Sequence, residues 1–202
     1  VGSMAFDDLE LPSENAKNVV GGSATYAALA AALFAPVRVV AVVGDDFPDG
    51  AVDTLSARGV DTTGIERAAG KTFRWAGRYA PNLASRTTLD TQLNVFADFR
   101  PKLPEAFRAS PFLLLGNIHP SLQLEVLAQV KSPRLVAADT MNFWISGERA
   151  TLIAMLAKIE PRVYLFNLET GYQFKEIFDL RDRLAERYGI KVDFQYPETT
   201  VE

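Results

Sequence analysis

The chain of 202 residues contains no cysteine and a single histidine. The lack of thiols excludes disulfides, thiolate metal sites and cysteine nucleophiles, and it fits a reducing, cytoplasmic setting. There is no basic excess: 21 Lys and Arg stand against 25 Asp and Glu, for a formal net charge of -4. With the two signs interspersed, no cationic face is expected for nucleic acid or anionic lipid. No apolar run is long enough to cross a bilayer, and the start lacks the basic-then-apolar pattern of a signal peptide, so a soluble protein is expected. Internal repeats, charge blocks and proline-rich linkers are also missing. The first residue is Val1, and "VGS" reads like the end of a buried strand entering a turn, so the expectation is a fragment of a longer protein.

What is present is apolar material, 48% of the residues, enough for one globular domain or one and a half. Val- and Leu-rich runs at Val37 to Gly44, Pro111 to Asn117, Arg134 to Thr140 and Arg162 to Asn167 predict strands buried on both faces. Helical patterns lie between and around them, at Gly22 to Phe34, Asp49 to Arg58, Ser121 to Val130, Glu148 to Ile159 and Phe174 to Tyr188. Such alternation predicts an α/β fold whose mostly parallel sheet carries helices on both faces. Ligands bind such sheets beyond the carboxyl ends of the strands, here near Asp7, Gly44, Asn117 to His119 and Asp139 to Asn142. Thr62 to Arg100 breaks the alternation. There "KTFRWAGRYA" and "RTTLDTQL", joined by "PNLAS", predict antiparallel strands with one wet face, a lid or an interaction surface.

Within "NVVGGSATYAALAAALFA" (Asn18 to Ala35), Gly21 and Gly22 permit a tight turn and close approach of a ligand to the backbone. The following helix offers free N–H groups, and Ser23 and Thr25 add hydroxyls. An N-capped strand-to-helix turn accounts for the same residues. The stretch is neither a G-x-x-x-x-G-K-[ST] phosphate loop nor a dinucleotide fingerprint. His119 reads either as a structural residue or as a substrate contact. Asp139 and Asn142 read as turn-forming or as ligand contacts, and Thr72, Arg74 and Trp75 as surface strand residues or as parts of a closing lid.

"GSMAFDD", "VVGGSATYAALAAALFAPVRVVAVVGDDFPDG", the β excursion, "LLLGNIHPSLQ" and "VAADTMNFW" together resemble the PfkB-family, ribokinase-like carbohydrate and nucleoside kinases, over roughly Val1 to Ile145. The resemblance implies a ribokinase-like three-layer α/β fold with a small β lid at about 62–100, here truncated. It implies that Asp7, more than its neighbour Asp8, accepts hydrogen bonds from substrate hydroxyls. Gly21 and Gly22 would let the substrate sit against the backbone, with Thr25 near where many members carry an asparagine. Asn117, His119, Asp139 and Asn142 would face the same crevice, and Thr72, Arg74 and Trp75 would belong to the lid. ATP and magnesium are implied for the intact family, with a sugar or nucleoside as acceptor and a homodimer formed through the lid.

Two family elements are absent from the sequence. No G-A-G-D-like motif supplies a base and an anion hole, and no N-x-x-E magnesium motif occurs, since Asn167 is followed by Thr170 where the glutamate should stand. The expectation is a PfkB-like kinase fragment that is inactive, with neither ATP nor magnesium assigned to this chain. The alternatives are a non-catalytic module for a small polyhydroxy ligand and a sulfonucleotide-binding remnant. The last comes from the C-terminal segment: "LETGYQF" and "LRDRLAERYGI" resemble phosphoadenylyl-sulfate and adenylyl-sulfate reductases, whose L-[DE]-T-G motif, here Leu168, Glu169, Thr170 and Gly171, helps line a nucleotide pocket. That family's S-G-G-K-D-S loop and catalytic cysteine are absent, which excludes its thiol chemistry. The expected organisation is a PfkB-like region over 1–147 and a βαβ segment over 148–202, with a join between two α/β proteins at 146–161.

Overall fold

The computed structural model describes residues 1–158, 165–168, 179, 182–183, 186 and 192–195. The chain divides into two units, Val1–Met155 and Leu156–Glu202.

In the first unit, β1 (Ala5–Glu10) and β2 (Asn15–Gly21) form an antiparallel hairpin, followed by α1 (Ser23–Ala31), β3 (Val37–Val43), α2 (Asp49–Ala57) and β4 (Val60–Arg67). A second hairpin follows, β5 (Phe73–Tyr79) and β6 (Arg86–Gln92), then two short 3₁₀ turns, β7 (Phe112–Leu115), α3 (Pro120–Leu127), β8 (Leu135–Ala138), α4 (Asn142–Gly147) and the greater part of α5 (Arg149–Lys158). In the second unit β9 (Leu165–Leu168) pairs in parallel with β10 (Val192–Gln195). The expected helix over Phe174 to Tyr188 lies largely outside the described residues, as do Glu169, Thr170 and Gly171.

The parallel layer is built from β3 with β4 and from β7 with β8, and the N-terminal residues join the two ladders. The Gly2 N–H donates to Val40 O at 3.3 Å, the Val1 amine donates to Leu114 O at 2.9 Å, and the Gly116 N–H donates to Val1 O at 2.7 Å. Val1 thus bonds to residues 114 and 116 in the slanted pattern of parallel neighbours. β3 is a valine run because both of its faces are covered: Val39, Val40, Ala41, Val42 and Val43 are all buried. Met4, Phe6, Ala24, Ala28, Phe47, Leu55 and Val60 complete this core. The alanines of α1 let the helix sit close to the sheet, with Ala24 and Ala28 facing inward.

The region expected to form a lid belongs to a four-stranded sheet in the order β2-β1-β5-β6. It differs from the expected excursion in two ways. Residues 62–67 belong to β4, parallel to β3, so this sheet takes up the chain at β5 rather than at Thr62. Its other half is the β1–β2 hairpin, whose polar, half-exposed sequence gave no strand pattern by itself; pairing with β5 makes it a sheet. Among the described residues no helix is long and apolar enough to cross a membrane.

Candidate functional site

At the start of α1 the chain needs glycine twice. Gly22 has a φ of 100°, and a Cβ there would stand 2.3 Å from Ser3 O. Gly21 is constrained by a side chain: its Cβ would stand 2.2 Å from Asp7 Oδ2. The Asp7 carboxylate therefore rests against the bare backbone of Gly21. Burial, and then the charge of Asp8, push its pKa above the ordinary carboxylate value. Asp8 is engaged locally and accepts the Asn18 N–H at 2.8 Å.

The N–H groups expected to be free at this helix start are largely taken by Ser3, which carried no recognisable signal in the sequence. The Ser23 N–H donates to Ser3 Oγ at 3.2 Å, the Ser3 N–H returns a bond to Ser23 Oγ at 3.2 Å, and the Ala24 N–H donates to Ser3 O at 2.9 Å. Thr25 is buried, and its hydroxyl donates to Gly21 O at 2.8 Å, fixing the turn. Ser23 also lies against Gly116, where a Cβ would approach its Oγ to 2.6 Å. The glycine turn and the end of β7 thus meet at Ser23, which brings Asp7, Gly21, Gly22 and Asn117 to one rim of the parallel layer.

Asn117 and His119 form a separate cluster with α4. Asn117 Oδ1 accepts the Trp144 indole N–H at 2.9 Å, and the His119 ring stands edge-on to Trp144 with centroids 4.9 Å apart. His119 caps α3: its Nδ1 accepts the Ser121 N–H at 3.1 Å, and its Nε2 lies 3.6 Å from Glu148. Both ring nitrogens are therefore engaged within the protein. Asp139 stands exposed just beyond β8; desolvation raises its pKa against an opposing bond from the Thr140 backbone. Asn142 is the first residue of α4. Gln123, which sequence reasoning passed over, is 1% exposed and ties the two strand ends together, its Nε2 donating to Gly116 O at 3.0 Å and to Asp139 O at 2.9 Å.

The three residues assigned to the lid play different parts. Thr72 is wholly buried, and its Oγ1 accepts the Gly44 N–H at 3.0 Å while donating to Asp46 Oδ1 at 2.7 Å. Arg74 bridges Asn18 Oδ1 at 2.5 Å and Asp46 Oδ2 at 3.4 Å, with its guanidinium 4.7 Å from the Phe6 ring centroid. Desolvation pushes the Asp46 carboxyl up, but the Thr72 hydroxyl and amide, with Arg74, outweigh it and hold the group below its ordinary value. Thr72 and Arg74 thus tie the start of β5 to Gly44, Asp46 and Asn18. Trp75 is paired in register with Asp7 and remains on the lid surface.

The resemblance implies a nucleotide and magnesium for the intact family. The sequence has no G-A-G-D motif, and among the described residues no three His, Asp or Glu side chains group as a metal site. These residues do not fit the group, and no transfer step is derived through it.

No family model matches the chain. Over 62 residues it is 39% identical to an adenosine 5'-phosphosulfate reductase of Bacillus pumilus, a match taking in 30% of this chain and 26% of the reductase. Solved structures are similar over much more of it. A PfkB protein from Polaromonas sp. JS666 matches with a TM-score of 0.67 and 13% identity, over 96% of this chain and 74% of that one. A ribokinase from Thermotoga maritima gives 0.60 and 21%, over 96% and 70%. A Burkholderia thailandensis nucleoside kinase in complex with inosine gives 0.65 and 12%, over 94% and 63%. The chain therefore spans about a quarter of the reductase and under two thirds of the nucleoside kinase. The fold is ribokinase-like α/β.

Proposed function

We propose that this chain is the acceptor-binding part of a ribokinase-like sugar or nucleoside kinase and that it holds a small polyhydroxy ligand without phosphorylating it. The observation that carries the reading is the Asp7 carboxylate, half-buried in β1 and seated on the bare backbone of Gly21. A half-buried carboxylate held this way accepts two hydroxyl donors and gains more from them than it would in open water. Gly21 and Gly22 allow the ligand to approach the backbone, and Asn117, Asp139 and Asn142 supply polar groups further along the strand ends. Thr25 and His119 shape these turns through their own hydrogen bonds.

Phosphoryl transfer also needs a base and an electropositive cradle. The sequence carries no G-A-G-D motif for either, so binding without turnover is the expected behaviour. Calorimetry with ribose, fructose phosphates and adenosine tests the reading: at least one should bind, and Asp7→Ala should remove that binding. Undiminished binding by Asp7→Ala would take Asp7 out of the site.

A second reading, carried by the resemblance of "LETGYQF" to the reductases, is a sulfonucleotide-binding remnant around Leu168 to Gly171. Adenylyl sulfate should then bind weakly, and absence of binding discards the idea. β6 is exposed along all of its seven residues, which supports pairing of two copies through the lid; a clean monomer at micromolar concentration in sedimentation would count against that.

A further inference from the structure

One face of β7 and β8 is apolar and open to water. Gly116 continues the β7 ladder through its N–H to Val1 O, and a Cβ on it would stand 2.6 Å from Ser23 Oγ, so this position turns toward the side of the sheet that carries α1. Side chains alternate along a strand, so Leu114 and Phe112 turn to that same side, while Leu113 and Leu115 turn to the other. The second pair is buried, whereas Phe112 is 60% and Leu114 43% exposed. The register carries the pattern into β8: Phe112 pairs with Leu135 and Leu114 with Ala137, and both partners are exposed. Thus α1 lies on this side of the sheet without covering β7 and β8.

The end of α1 extends the open face. The helix starts at Ser23, near the end of β7, and the chain leaves it for Val37, where β3 begins. Leu33 and Phe34, 71% and 88% exposed, lie between these points, at the edge of the sheet where Phe112 begins β7. No charged residue occurs from Ser23 to Pro36, in β7 or in β8. Arg134 stands at the margin, its guanidinium 5.6 Å from the Phe112 ring centroid. Large apolar side chains exposed to this degree leave roughly 100 Å² each in water, so the five present on the order of 500 Å², the upper part of the range for a monomer's largest patch. A stable interface covers about 800 Å² per partner, rather more than half of it apolar, so the patch matches the apolar share of one such interface.

We propose that this face, centred on Phe112, Leu114 and Leu135, is where a second copy of the chain docks. A two-fold axis sets the patch against its own copy, so apolar side chains meet apolar side chains and no like charges are brought together at the centre. Two sheets packed face to face lie about 10 Å apart, the distance that interdigitated Phe and Leu side chains fill. Phe34 and Leu33 close one end of the contact. Pairing through β6 would use a different surface, so the two associations can be read separately. The competing state is a monomer that leaves the face in water.

The test is sedimentation equilibrium of the whole chain across micromolar concentrations, with three variants. The unmodified chain should associate beyond its 22.2 kDa monomer mass. Phe112→Lys and Leu135→Lys should each raise the dissociation constant at this face about thirtyfold or more, the usual cost of losing a central anchor. Leu89→Lys, on β6, should leave that constant unchanged. All three side chains are exposed in the monomer, and equal melting temperatures for dilute samples confirm that the variants are folded. A second measurement uses the unmodified chain: the Leu114 and Leu135 methyl signals should lose contact with a soluble paramagnetic probe as concentration rises, while those of Leu89 lose less. A monomer at every concentration, association unchanged by both Phe112→Lys and Leu135→Lys, or methyl groups of Leu114 and Leu135 equally accessible throughout would overturn the proposal.

Discussion

Asp7 is kept against glycine backbone where burial and Asp8 both favour its neutral form. Its pKa is raised above the unfolded value, so its contribution to stability is present at low pH and is lost as pH rises through the raised value. At neutral pH the fold therefore carries a small penalty for an ionised Asp7. Asp7→Asn should raise the melting temperature slightly, by less than about 1 kcal/mol in stability, while removing ligand binding. Ligand affinity should follow the opposite course, since the carboxylate is the acceptor: it should weaken on acidification at a pH above the ordinary carboxylate range. Calorimetry from the ordinary carboxylate range up to neutral pH checks both signs.

The two glycines of the turn should fail differently on substitution. Gly21→Ala drives a methyl into the Asp7 carboxylate, a side chain with room to move, and should cost mainly affinity. Gly22→Ala places a methyl against the Ser3 carbonyl at a positive φ and should cost about 2 kcal/mol or more of stability. Denaturant melts of the pair separate the effects. The glycine pair and Asp7 could be read in the sequence because backbone access and a strand-end acid leave marks in residue type. Ser3 and Gln123 could not: their work is to satisfy specific N–H and C=O groups of distant segments, which only the folded chain brings near.

Among the elements, the root of the lid is the best-defined junction. Gly44 at the end of β3 leaves no room for a Cβ, which would stand 2.3 Å from Gly70 O, and its N–H is held by Thr72. Asp46 gathers the Thr72 amide and hydroxyl, each at 2.7 Å, and Arg74 carries the connection on to Asn18 at the base of the first hairpin. Thr72→Val leaves the buried Gly44 N–H and part of the Asp46 carboxylate unpaired and should cost about 1–3 kcal/mol. The folded pKa of Asp46 is depressed, so its stabilisation is present above the ordinary carboxylate range and is lost as pH falls through the lowered value. Asp46→Asn should therefore flatten the most acidic limb of the stability curve, the reverse of the effect at Asp7.

β3 was legible because a strand covered on both faces is written as a hydrophobic run; β7 and β8 are strands as expected, but they are not buried on both faces, since Phe112, Leu114 and Leu135 are exposed. The β1–β2 hairpin was not legible, since its strand character comes from pairing with β5, and β4 was misassigned to the lid because its alternating exposure resembles that of the antiparallel strands beside it.

For the molecule as a whole, two kinds of likeness coexist. Ribokinase-like structures match over most of the chain at low identity, while a reductase matches a short stretch at higher identity. The first defines the fold; the second has no counterpart in the chemistry of a chain without cysteine. On the proposed reading, the chain should bind its ligand and leave it unchanged. The most direct measurement is saturation-transfer NMR on the protein mixed with adenosine, ATP and magnesium, followed over hours in one sample. Transfer to the ribose protons that disappears in Asp7→Asn, with no phosphorylated nucleoside accumulating, is the predicted result. Product formation, or ribose signals indifferent to Asp7, would contradict it.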